Sequence, residues 1–181
     1  MSTQARDLPQ IALSVRQPWA WAILHAGKDI ENRTAQSVRA GNMTTGRVAI
    51  HAATGMTRDE YDWAVWRMGQ DGVRVPRPDD LPRGAVIGAA EVVEFVTESA
   101  SPWFGGPVGL VLRDPVATAP IPAKGARGYF EWVAEGALAA PLPWMGDWGG
   151  AEDGLFGDLP VVFETPPAKP WGKRQPRRVA K

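Results

Sequence analysis

Glycine and proline interrupt this chain so often that its apolar residues come only in short runs: 20 Gly and 17 Pro are spread over 181 residues. No run approaches the roughly eighteen apolar residues that a membrane-spanning helix needs. The short runs are separated by turn formers and read more often as strands than as helices. Short strands with a few helices pack most simply as an α+β fold, a small, partly closed mixed β-barrel with peripheral helices.

The spacing predicts the following elements. Ile11 to Arg16 alternates as a strand. Pro18 suits the first position of a helix, Trp19 to Ala26 is apolar almost all round, and Gly27 is a natural stop. Lys28 to Arg33 and Arg47 to His51 read as strands, with a polar loop from Thr34 to Thr45 between them. Thr57 and Glu60 form a capping box for a helix to about Met68, with Tyr61, Ala64, Val65 and Met68 on one side. Asp71 to Arg83 is a proline-rich surface linker. Ala85 to Val96 is a long strand with a bulge at Gly88. Pro107 to Leu112 and Val116 to Ile121 are two further strands, Gly128 to Glu135 is a short helix, and Leu159 to Glu164 is a closing strand. Ala140 to Gly157 has no clear period.

Composition removes several chemistries. With no cysteine there is no disulfide framework, thiolate zinc site or cysteine nucleophile. His25 and His51 are too few for an all-histidine metal site, and a carboxylate-bound Mg²⁺ stays open. Residues 1–10 have no apolar signal core, so a cytoplasmic protein is expected. The formal net charge is zero but unevenly spread. Six of the 20 basic residues (Lys169, Lys173, Arg174, Arg177, Arg178, Lys181) lie in the last sixteen positions without an acid, so the remaining 14 face 20 acids. Residues 1–9 thus read as a flexible start, 10–165 as one domain, and 166–181 as a disordered basic, proline-rich tail able to contact phosphates. Nine tryptophans are mostly core material, with base stacking as the alternative use.

Candidate chemistry concentrates between Ser14 and Arg33. Arg16 offers bidentate contacts to phosphate or a base edge, Gln17 an amide that reads polar edges, and Trp19 a flat face. Local hydrogen bonds and packing account for the same residues equally simply. Glu31 and Arg33 share a face if the strand is extended, and Lys28 stands at the helix-to-strand corner. These charges form either a surface ion pair or the floor of a polar pocket. Alternation places Glu91 on the apolar row of Ile87, Ala89, Val93 and Phe95, where a carboxylate needs a cation, unless a bulge turns it to solvent. Ser101 to Pro107, with Trp103 and Phe104, forms either a base-stacking lip or a packed turn.

Leu13-Ser14-Val15-Arg16-Gln17-Pro18-Trp19-Ala20, followed by Lys28, Glu31 and Arg33, resembles the ASCH domain family of the PUA-like superfamily. Its hallmark is G-x-K-x-x-E-x-R after an S-x-x-Q-P-W start. Counted from Gly27 one residue is missing before the lysine; counted from Ala26, Lys28, Glu31 and Arg33 fall in register. Further similarity lies in Ile50-His51-Ala52, Gly88 to Val93, Ser101 to Leu112 and Pro120 to Gly128, so it covers about residues 10–133. The resemblance implies a PUA-like pseudo-barrel and recognition of RNA or a single or modified nucleotide in a cleft lined by Lys28, Glu31 and Arg33, with Ser14, Arg16, Gln17, Trp19 and Trp103 as further binding residues. No cofactor and no metal site is expected. Some members are amidohydrolases acting on N4-acetylcytidine through a Lys, a Thr and a Glu, and ribonuclease activity is also associated with the family. Lys28 and Glu91 would be the catalytic pair of such a hydrolase; the threonine position falls on Glu31, which removes the hydroxyl and counts against the amidohydrolase. A protein-interaction surface in Trp144 to Phe156 is a third possibility.

Overall fold

The computed structural model describes residues 8–148, together with Pro167. The elements run β1 (Ile11–Val15), α1 (Trp19–His25), β2 (Ile30–Arg33), α2 (Ala35–Ala40), β3 (Gly46–Ala52), α3 (Arg58–Gly69), β4 (Ala85–Val96), β5 (Val108–Pro122), β6 (Tyr129–Glu131) and α4 (Pro143–Gly146). The fold is mixed α+β. One six-stranded sheet, in the order β2-β5-β4-β3-β1-β6, curls into a half-barrel. Among the described residues only β1 and β3 pair in parallel, and every other pairing is antiparallel.

The core has two levels. Leu13, Val15, Ile50, Ile87, Val92, Leu110 and Leu112 fill the concave side of the sheet together with Ala20 and Ile23 of α1. Each large side chain in this cluster contributes about 1.5–3 kcal/mol by leaving water. The other side of α1 is buried too, because Ala22 meets Ala64 and Met68 of α3. That double burial explains why α1 is apolar all round. Thr57 and Glu60 close the predicted capping box on α3, and Tyr61, Ala64 and Met68 face inward as expected, with Val65 only partly buried. Tryptophans wedge this helical layer together: Trp19 leans on Trp63, which leans on Trp66, while Trp144 and Trp148 flank Tyr61.

Several expectations are corrected. The loop predicted from Thr34 to Thr45 contains α2, because the Thr34 hydroxyl accepts from the Ser37 amide and caps a short polar helix. The two strands predicted around Val108–Pro122 are one, which passes through Asp114 at φ 46°. The helix predicted over Gly128 to Glu135 is instead β6, since the free edge of β1 takes its backbone hydrogen bonds. The linker ends in the interior, with Leu81 and Arg83 buried, and Arg83 donates to the carbonyls of Thr54 and Ala140. The aperiodic stretch from Ala140 contains α4, whose Met145 is fully buried.

The correction that matters most for function concerns β4. Its register against β5 shifts three times, between Val86 and Gly88, between Ala89 and Glu91, and between Val92 and Glu94. The inward row therefore runs Ile87, Ala90, Val92, Phe95. Simple alternation placed Glu91 in that row; the alternative holds instead, and the irregularity at Gly88 puts it on the opposite face, beside Arg47 of β3 and Arg113 of β5. The predicted strand at Leu159 to Glu164, the basic tail and Trp171 lie outside the described residues. Among the described residues no helix is long and apolar enough to cross a membrane.

Candidate functional site

β2 is an edge strand, and Glu31 pairs with Leu110 of β5, which fixes its side chain on the concave, core-facing row. Lys28 arrives from the turn after α1, where Gly27 takes a left-handed φ of 64° and the Lys28 amide returns to the carbonyl of Ala22. Its ammonium group is thereby folded back onto the strand. Lys28 Nζ donates to the carbonyl of Ile30 and to Glu31 Oε2 at 2.8 Å. The other carboxylate oxygen, Oε1, receives Arg33 Nη2 at 3.1 Å. Arg33 Nη2 also donates to the carbonyl of Ser14 at 2.5 Å. Ser14 lies on β1, four strands away in sheet order, so this bond ties the two ends of the curled sheet together.

Exposure divides the triplet. The side chains of Lys28 and Glu31 are 4% and 11% exposed, whereas that of Arg33 is 20% exposed. Burial alone pushes the Glu31 carboxyl up. The charges of Lys28 and Arg33 and their hydrogen bonds together outweigh that and hold it below the usual carboxylate range. A lone buried carboxylate would neutralise; one shared by two cations stays ionised. The triplet is thus a charged strut, and Arg33 is its member nearest to solvent.

A second buried polar chain lies on the other side of Ser14. Ser14 Oγ is 2.9 Å from His51 Nδ1, and His51 Nε2 is 3.0 Å from the carbonyl of Ala123. A carbonyl only accepts, so Nε2 carries the hydrogen and Nδ1 accepts from the serine hydroxyl. Burial lowers the imidazole pKa, against a smaller upward pull from the Ala123 carbonyl, so His51 is neutral near pH 7. Gly125 lies flat on this pair: a Cβ there would come within 2.4 Å of His51 Cε1 and 2.9 Å of Ser14 Oγ. The loop from Ala123 to Gly128 is therefore seated on the Ser14–His51 pair.

That loop leads to a cavity of about 320 Å³ lined by Thr34, Gln36, Ser37, Ala40, Gly41, Arg127 and Gly128. Gly41 and Gly128 touch backbone to backbone, and a Cβ on Gly128 would fall 2.5 Å from the Gly41 Cα. No carboxylate lines the cavity, and Arg127 is exposed and makes no ion pair among the described residues. Arg33 is bonded in sequence to Thr34, and Tyr129 to Gly128. The Tyr129 phenol is pushed up to about 12 by burial, while the nearby Arg33 charge pulls in the opposite direction. Arg33 thus directly precedes a lining residue, while its own guanidinium is held on Glu31 and the Ser14 carbonyl and is not part of the lining.

The remaining candidate residues are dispersed. Gln17 is fully buried, donates to the carbonyl of Pro82 and accepts from the Trp21 amide; it fastens α1. Arg16 pairs with Glu60 at 2.6 Å, at the start of α3. Trp19 is half-buried between α1 and α3. Trp103 packs on the same layer, with Arg67 over its ring at 4.9 Å. Glu91 is on the convex face, three residues and two strand spacings from Glu31, roughly 14 Å along the sheet; Lys28 and Glu91 do not meet. Sequence reasoning missed Asn32, which clamps the Ser101–Pro107 turn by donating to the Trp103 carbonyl and accepting from the Gly105 amide, each at 2.8 Å. Its position between Glu31 and Arg33, on the opposite face of the strand, was the available signal. It also missed the roles of His51, Arg127 and Tyr129; a basic, glycine-flanked segment, Lys124 to Gly128, was the available signal for Arg127.

Among the described residues no group of three His, Asp or Glu side chains is placed to hold a metal. No family model and no curated protein matches this chain.

Proposed function

We propose that this chain is a PUA-like domain of the ASCH type that binds RNA through a single unpaired or modified nucleotide, with the cytoplasm as its working compartment. One observation carries the reading: a buried Lys28–Glu31 pair holds the partly exposed Arg33 one residue before Thr34, which lines a polar cavity without a carboxylate in its lining. A fixed guanidinium with hydrogen-bonding capacity suits phosphate or a base edge. The cavity volume equals roughly ten waters at about 30 Å³ each, the scale of part of one nucleotide. Charge agrees, because residues 1–165 are acidic, so affinity must come from a local site rather than a broad basic face.

The test is calorimetric titration of the full chain with a single-stranded RNA octamer, the matching duplex, and mononucleotides. Single strand and mononucleotides are expected to bind and the duplex to bind more weakly. Arg33→Lys, which keeps the charge and loses the fork, is expected to weaken binding at least about tenfold, the scale of one charge-assisted hydrogen bond. Flat titrations throughout, or a duplex bound as well as the single strand, refute the proposal.

A further inference from the structure

We propose that the cavity between α2 and the Arg127–Gly128 turn is the phosphate subsite of this nucleotide site, with Arg127 as the phosphate-binding residue. The inference rests on the nucleotide-binding reading above and says which part of the ligand goes where.

Three observations support it. First, the lining is chemically one-sided. Arg127 supplies a cation, Thr34, Gln36 and Ser37 supply polar groups, and no acid is present to repel an anion. Arg127 is exposed and has no ion pair among the described residues, so a ligand phosphate displaces no partner among them. Second, the wall carrying Arg127 has a defined position. The Ala123 carbonyl accepts from His51 Nε2, and Gly125 rests on the imidazole and on Ser14 Oγ. From the other end, the Tyr129 amide donates to the carbonyl of Gly41, and Gly128 touches Gly41. A short loop fixed at both ends presents its cation with little ordering cost on binding. Third, Arg33 directly precedes Thr34 of the lining and is held in place by the Glu31 carboxylate. A phosphate on Arg127 then leaves Arg33, one residue from the lining, for the base or sugar.

The experiment compares the common nucleosides with their 5′-monophosphates by calorimetry on the full chain, at 50 and 200 mM salt. Each monophosphate is expected to bind at least about tenfold more tightly than its nucleoside, the scale of a charged hydrogen bond. Arg127→Ala is expected to erase that gain, leave nucleoside affinity unchanged, and lower the slope of log affinity against log salt by about one. Arg127→Lys should retain part of the gain. Because Arg127 is exposed, its variants are expected to melt at the wild-type temperature, which separates loss of binding from loss of fold. Equal affinity of nucleosides and monophosphates, or a phosphate gain that survives Arg127→Ala, overturns the subsite and leaves the nucleotide reading standing. Absence of binding by nucleosides and monophosphates alike overturns both.

Discussion

Replacing Glu31 by Gln tests the energetics of the charged strut directly. The carboxylate satisfies Lys28 at 2.8 Å and Arg33 at 3.1 Å, and the Lys28 side chain is only 4% exposed. The amide keeps the shape and removes the charge. One amide oxygen can still accept from one cation, but the amide nitrogen then faces the other, and Lys28 is left as a buried cation without a counter-charge. Breaking a buried pair in this way costs about 3–5 kcal/mol. For a chain of this size that corresponds to a fall in Tm of roughly 6–20 °C. Lys28→Met should cost less, because Glu31 keeps Arg33, and the double variant should be less unstable than the sum of the two single ones, since removing both partners leaves no orphan. pH provides an independent check. The folded pKa of Glu31 lies below its ordinary value of 4.5, so its contribution is complete above that pH and is lost as pH falls from there through the folded value. Wild type should therefore lose stability below pH 4.5 more steeply than Glu31→Gln. Urea unfolding at pH 7 and across the acid range measures both effects. A loss below about 1 kcal/mol for Glu31→Gln, or identical acid slopes, would show that the triplet is wet and weakly coupled.

Two further outcomes follow from the polar contacts around the core. Thr57→Ala removes the hydroxyl that caps α3 and should cost about 1 kcal/mol, read as a Tm lower by about 2–4 °C; an unchanged Tm would mean that the cap adds nothing to stability. Burial lowers the His51 pKa from 6.5, so its neutral form stabilises the fold fully above that pH and progressively less as pH falls through the folded value. Between pH 6.5 and 5 wild type should lose stability relative to His51→Gln by up to about 1.4 kcal/mol per pH unit, and parallel curves would refute a buried neutral imidazole.

Local signals in the sequence located most elements: alternation marked β1, β3 and β4, the all-round apolar stretch marked α1, and the Thr57–Glu60 spacing marked α3. What it could not locate depended on partners distant in the chain. The residues of β6 form a strand only because β1 offers them an unpaired edge. α2 has one apolar residue packed on the core, Val38, so its periodicity is nearly silent and its cap is the only trace. Glu91 shows the limit most clearly. The bulge at Gly88 that turns it outward was legible as an alternative to plain alternation, but only the pairing with β3 and β5 decides between the two, and the later register shifts left no local sign. Within the site, alternation correctly paired Glu31 with Arg33, while the inward turn of Lys28 depends on the reversal at Gly27 and on the acceptors waiting there.

The burial gradient across the triplet bears on which chemistry this site supports. Lys28 has two acceptors filled and almost no exposed surface, so any proton transfer to a bound molecule requires the triplet to open first, breaking the contact that holds Arg33. Glu91, on the convex face, is not placed to share such a step. A hydrolytic cycle through Lys28 and Glu91 would thus dismantle the strut and rearrange a bulged strand at every turnover. Binding through Arg33 and Arg127 requires neither: Arg127 already lines the cavity, Arg33 directly precedes Thr34 of that lining, and the charges that fix Arg33 also tie β2 to β1 through the Ser14 carbonyl. The same bonds that close the half-barrel orient its candidate ligand-binding arginine. Weakening the strut should therefore reduce nucleotide affinity and stability together, whereas Arg127→Ala should reduce phosphate affinity alone.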